Sequence, residues 1–114
     1  MKVNTQSSPF GTQTRTRVLL ALQMLGESYP RELARVLEVP LSVVQRAIRT
    51  LELDGLIAGR PVGRTRLYRL DPGYFAYSEL KRFLGRLAEP EDSLQRQLAS
   101  IRKRPRRGGK PLWR

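Results

Sequence analysis

From Thr14 to Leu25 the apolar residues Val18, Leu19, Leu22 and Leu25 recur at helical spacing, and Leu20, Ala21 and Met24 add a second apolar flank. The pattern predicts a helix buried on more than one side, with Thr14 as its N-cap and Gly26 as its stop. In so short a chain, covering two sides calls for either a central position or a partner chain. Ser28-Tyr29-Pro30 opens a shorter helix: Pro30 suits its first turn, Glu32 suits its positive end, and Leu33, Ala34, Val36 and Leu37 supply the inner face. Val39-Pro40 breaks it. A third helix is expected from Ser42, as N-cap, to about Leu53, with Val44, Ala47, Ile48 and Leu51 inward and Val43, Gln45, Arg46, Arg49 and Thr50 on the opposite face. Asp54-Gly55 ends it.

After Gly55 the period changes. Leu56-Ile57-Ala58 and Arg66-Leu67-Tyr68-Arg69-Leu70 are strand-like runs around Gly59-Arg60-Pro61-Val62-Gly63-Arg64, which predicts a hairpin with a tip rich in Gly and Arg. Asp71-Pro72-Gly73 turns the chain again. Tyr74, Phe75 and Tyr77 then lead into a fourth helix marked by Leu80, Phe83, Leu84 and Leu87. Beyond Pro90, Glu91-Asp92-Ser93 starts a last amphipathic stretch with Leu94, Leu98 and Ile101 at i, i+4 and i+7. The expected organisation is an N-terminal arm over 1–13, one folded unit over 14–88, an amphipathic helix over 89–101 and a disordered basic tail over 102–114. No internal repeat is visible.

At 114 residues the chain has room for one domain. It contains no cysteine and no histidine, which removes disulfides, thiol nucleophiles, the commonest general base and the usual soft metal ligands. The carboxylates Glu32/Glu38 and Glu91/Asp92 read as helix-face and helix-start charges. We therefore expect a non-enzyme with no cofactor and no metal. No segment approaches the ~20 apolar residues that span a bilayer, so a soluble, cytoplasmic protein without membrane contact is expected.

The formal net charge is +12, and its distribution says more than its size. Residues 1–40 carry +2, 41–70 carry +4, 71–101 carry −1 and 102–114 carry +7. Cations gathered in one mid-chain segment and one tail are what a polyanion-binding surface requires. Eighteen of the 22 basic residues are Arg, whose planar fork can pair bidentately with phosphate or guanine. A G- and C-rich genome would produce the same bias. No acidic residue occurs from 55 to 70, whereas a merely guarded strand edge could use either sign.

Three helices and a hairpin, with the third helix polar and basic on one side, suit a major groove for that helix and a neighbouring groove or phosphates for the hairpin. The run RELARVLEVPLSVVQRAIRTLELDGLIAGRPVGRTRLYRL resembles the winged helix-turn-helix core of ArsR-type repressors, over roughly residues 14–87. Phe10-Gly11, Arg15, Arg17, Leu19-Leu20 and Tyr74-Phe75-Ala76-Tyr77 are most similar to winged-helix domains associated with small nucleotidyltransferases, although no nucleotidyltransferase segment follows. ArsR-type metal sensors bind metal through Cys and His, both missing here. The resemblance implies a mainly α fold with a β-hairpin wing and additional C-terminal helices. It also implies a homodimer, built through the first helix and the one from about Tyr77, that binds double-stranded DNA and regulates transcription, as a repressor.

In those roles Ser42, Val43, Gln45 and Arg46 face base edges, Arg49 and Thr50 face phosphate, and Arg60, Arg64 and Arg66 sit on the wing. Three alternatives stay open: a protein-interaction adaptor using the basic tail, an RNA or single-strand binder, and a DNA-segregation protein. Tyr74, Phe75 and Tyr77 read as packing residues rather than as a stacking platform for bases.

Overall fold

In the computed structural model residues 9–89 are described. The first eight residues, the expected amphipathic stretch past residue 89 and the tail 102–114 lie outside the described residues. The chain runs α1 (Gln13–Leu25), β1 (Glu27–Ser28), α2 (Pro30–Leu37), α3 (Leu41–Leu53), β2 (Ile57–Val62), β3 (Thr65–Leu70) and α4 (Tyr77–Ala88).

α1 is the centre of the molecule. Val18, Leu19, Leu20, Ala21 and Leu22 are all at most 1% exposed, because α2, α3, α4 and the sheet pack around them within one chain. The second apolar flank is thus explained by a central position, and α1 alone no longer calls for a partner. Its cap is Thr12, whose hydroxyl accepts from the Arg15 backbone N–H, so the helix starts earlier than Thr14. The last part of the expected arm is therefore structured, and Phe10 packs partly buried against the core, its ring 5.9 Å from that of Phe83. Gly26 ends α1 at φ 89°, a value open to glycine.

The Ser28 region differs from expectation. Rather than opening α2, Ser28 belongs to β1, a two-residue strand paired with Tyr68 of β3. Its buried hydroxyl donates to the buried Glu32 carboxylate at 2.7 Å. Two residues are too few to show a period. Tyr29 is the N-cap of α2 and Pro30 its first residue, where a missing N–H costs nothing. α3 begins at Leu41 after Pro40, so Ser42 lies inside the first turn instead of capping it. Val44, Ala47, Ile48 and Leu51 face inward as expected, and Asp54-Gly55 ends the helix with Gly55 at φ 82°.

The sheet has the order β1-β3-β2, so β3 is central. The hairpin strands are longer than their apolar runs and the tip is correspondingly tight. Ladder pairing continues to Val62↔Thr65, leaving Gly63-Arg64 as a two-residue turn with Gly63 at φ 61°. α4 lies against α1 through Leu80, Leu84 and Ala88.

Candidate nucleic-acid interface

Two arginines of α1 hold the helices that would meet a polyanion. The half-buried Arg17 donates to the Leu37 carbonyl at the C-terminal end of α2 at 2.6 Å, where unsatisfied carbonyls and the negative dipole end favour a cation. Arg15 reaches further. Its Nε donates to the Phe10 carbonyl at 2.6 Å, Nη1 to the Thr50 hydroxyl at 2.7 Å, and Nη2 to Asp54 Oδ2 at 2.7 Å. One guanidinium thus joins the N-terminal segment to the second half of α3.

That grip leaves the outer face of α3 for other work. Ser42, Gln45, Arg46 and Arg49 are exposed and Val43 is half-buried. Neither Arg46 nor Arg49 forms an ion pair among the described residues, so their donors face solvent. Thr50 differs from its neighbours: its hydroxyl accepts from Arg15 and donates to the Ala47 carbonyl at 3.0 Å, so its polar group is committed within the protein.

Strand alternation divides the arginines of the hairpin. Arg60 sits opposite Leu67, and Arg66 opposite Pro61, so the two side chains leave opposite faces of the sheet. Arg60 donates to both carboxylate oxygens of Glu27, at 3.2 and 3.3 Å, away from α3. Arg66 turns toward α3, with Nη2 2.8 Å from the Gly59 carbonyl, 3.7 Å from Glu52 of α3, and its guanidinium 5.9 Å from the Tyr68 ring centre. Arg64, at the tip, is exposed and without an ion pair among the described residues.

Arg49 and Arg64 meet in space. An open groove of about 600 Å³ lies between α3 and the wing, lined among others by Gln45, Arg49, Gly63, Arg64 and Arg66. A second, of about 610 Å³, shares Gln45, Arg64 and Thr65 with it and continues along α2 past Arg31 and Arg35. The α2 arginines were missed by the sequence reading, which used that helix only for its inner face. The signal was present: both lie on the polar side, at i and i+4. Of the nine candidate residues, the structure brings Gln45, Arg49, Arg64 and Arg66 to one groove, keeps Ser42, Val43 and Arg46 on the same helix, commits the Thr50 hydroxyl to Arg15 and Ala47, and leaves Arg60 across the sheet. Among the described residues no cluster of three or more acidic side chains could hold a metal, and no helix is long and apolar enough to cross a membrane.

A scan of protein-family models gives no match to the sequence, and a comparison with curated proteins gives none either. Solved structures do match. HlyU from Vibrio cholerae aligns with a TM-score of 0.59 at 24% identity, over 75% of this chain and 84% of that one. MarR from E. coli aligns with a TM-score of 0.59 at 22% identity, over 86% and 73%. A variant of ZitR from Lactococcus lactis, solved in complex with DNA, aligns with a TM-score of 0.58 at 19% identity, and the match spans 79% of this chain and 61% of that one. At these identities the likeness establishes the architecture: four helices and a three-stranded antiparallel sheet arranged as a winged helix-turn-helix.

Proposed function

We propose that the chain binds double-stranded DNA through α3 and the β2–β3 wing and regulates transcription, as a homodimeric repressor occupying an operator. The observation that carries this is the outer face of α3, where Arg46 and Arg49 stand without acidic partners among the described residues and Arg49 lines a groove whose far wall carries Arg64. An arrangement of this kind suits a helix in the major groove and a hairpin on the adjoining backbone. Ser42, Val43, Gln45 and Arg46 read base edges, Arg49 and Arg64 hold phosphates, and Arg31 and Arg35 extend the anchoring along α2. The fold is shared with a ZitR variant solved on DNA and with AdcR from Streptococcus pyogenes, a repressor by name. The ArsR-type placement rests on the sequence run quoted above.

Dimerisation now rests on α4 and its lead-in rather than on α1. Phe75 is 91% exposed and Phe83 45% exposed, an arrangement that suits burial against a second copy. A gel-shift with random duplex against random RNA, each with and without competitor, tests the reading. Retention of duplex in the presence of RNA supports it; preference for RNA, or retention of neither, overturns it.

A further inference from the structure

Arg66 sits among the wing's cations, yet its surroundings give it a different task from Arg64. Its Nη2 donates across the hairpin to the Gly59 carbonyl at 2.8 Å, the same nitrogen lies 3.7 Å from Glu52 Oε2 on α3, and the guanidinium rests over the Tyr68 ring. The guanidinium therefore touches both wing strands and the base-reading helix at once. The Tyr68 ring in turn packs close against Gly59: a Cβ at that position would come 2.5 and 2.8 Å from two ring carbons and 3.2 Å from Arg66 Nη2. Glycine is required at 59 for space, not for backbone conformation, so that Tyr68 and Arg66 can close over it. By contrast, Arg64 has no such partners among the described residues and stands at the turn.

We propose that Arg66 is a positioning residue, a strut that fixes the wing at a set distance from α3, and that Gly59, Tyr68 and Glu52 are its seats. This rests on the DNA-binding reading and deepens it: the strut sets the spacing between the helix that reads bases and the wing tip that holds phosphate. Spacing of that kind discriminates between DNA sites while adding no charge contact of its own, so Arg66 and Glu52 act on sequence preference and not on general affinity.

The test uses the full chain, with a duplex selected by the wild-type protein from a random pool and a scrambled duplex of the same length. Arg66→Ala should lose roughly tenfold on the selected duplex, the mid-range for coupling between residues in contact, and little on the scrambled one. It should leave the slope of log K against log salt unchanged. Glu52→Ala should weaken the selected duplex in the same direction, and the double variant should lose no more than the larger single loss. Amide hydrogen exchange over 57–70, measured without DNA, should rise in both variants. The proposal is overturned if Arg66→Ala flattens the salt slope by ~0.9 per subunit, the signature of a lost phosphate contact. It is overturned equally if Glu52→Ala tightens binding, as removal of a competing carboxylate beside a phosphate ligand would. Should the wild-type chain retain no duplex, the DNA-binding reading falls by itself, and unchanged exchange in both variants is then the result that removes the strut.

Discussion

Arg46 and Arg49 lie three residues apart on one exposed face, but a helix docked in a groove presents its N-terminal half to the bases and then rises away from them. Arg46→Ala should therefore cost ~1–3 kcal/mol on a selected duplex and little on a random one, whereas Arg49→Ala should weaken both alike. Titrations of both variants on both duplexes check the pose; equal losses everywhere would mean that α3 does not dock as described. A different residue-scale effect belongs to Gly59, where the missing Cβ leaves room for the Tyr68 ring. Gly59→Ala should destabilise the fold by ~1–3 kcal/mol through overpacking, visible as a lower midpoint in urea. None of this crowding was legible in the sequence, where Gly59 read as part of a turn-rich tip. The inward positions of α3 were legible, because a 3.6-residue period places Val44, Ala47, Ile48 and Leu51 on one side whatever they pack against.

Among the elements, α1 and α3 are joined by one side chain whose three donors go to the Phe10 carbonyl, the Thr50 hydroxyl and Asp54. The pair with Asp54 contributes little, since that carboxylate is largely exposed. The bonds to Phe10 and Thr50 are part-buried, and losing their donors costs more. Arg15→Ala should thus lower stability by ~1–3 kcal/mol, measured by chemical denaturation. It should also weaken DNA binding without changing the salt slope, because the Arg15 guanidinium is already committed to Phe10, Thr50 and Asp54. A slope flattened by this variant would place Arg15 on phosphate instead. Helix caps show how local signals mislead by two residues, about half a turn. Thr14 and Ser42 are both good N-caps by type, yet Thr12 and Pro40 occupy those positions, since the first helical residue is set by where packing lets the chain enter.

For the whole molecule, charge and self-association are the quantities to measure. Seven of the residues 102–114 are basic and none is acidic. If three of those charges reach phosphate in each subunit, removing 102–114 should flatten the salt slope by ~3 per subunit and raise specificity, because counterion release favours any duplex equally. A slope unchanged by truncation would point to an acidic protein partner for the tail. Phe83→Glu and Phe75→Glu place a charge where burial against a second copy is proposed. Sedimentation equilibrium at micromolar concentration should show a dimer for the wild type and a monomer for the double variant. A wild-type monomer, on DNA as well as off, would remove the dimer and with it the expectation of an inverted-repeat operator with half-sites ~10 base pairs apart.

Within residues 9–89 the sequence by itself determined the four helices and the hairpin and which face of each is apolar, and along the whole chain it determined where the positive charge lies. Those follow from periodicity and from turn residues, which are local. Tertiary structure decided what those faces meet. It made α1 a central helix, although a two-sided apolar pattern is equally consistent with an interface between chains. It drew Ser28 out of α2 into a two-residue strand, because β3 offered an edge that only the folded sheet creates. It also sorted chemically identical arginines into separate tasks: Arg15 and Arg17 holding helices from within, Arg60 paired behind the sheet, Arg66 braced against α3, and Arg46, Arg49 and Arg64 left facing solvent. A guanidinium's role depends on which acceptors lie within about 3 Å of it. Those acceptors come from residues up to 39 positions away along the chain, which no local pattern can encode.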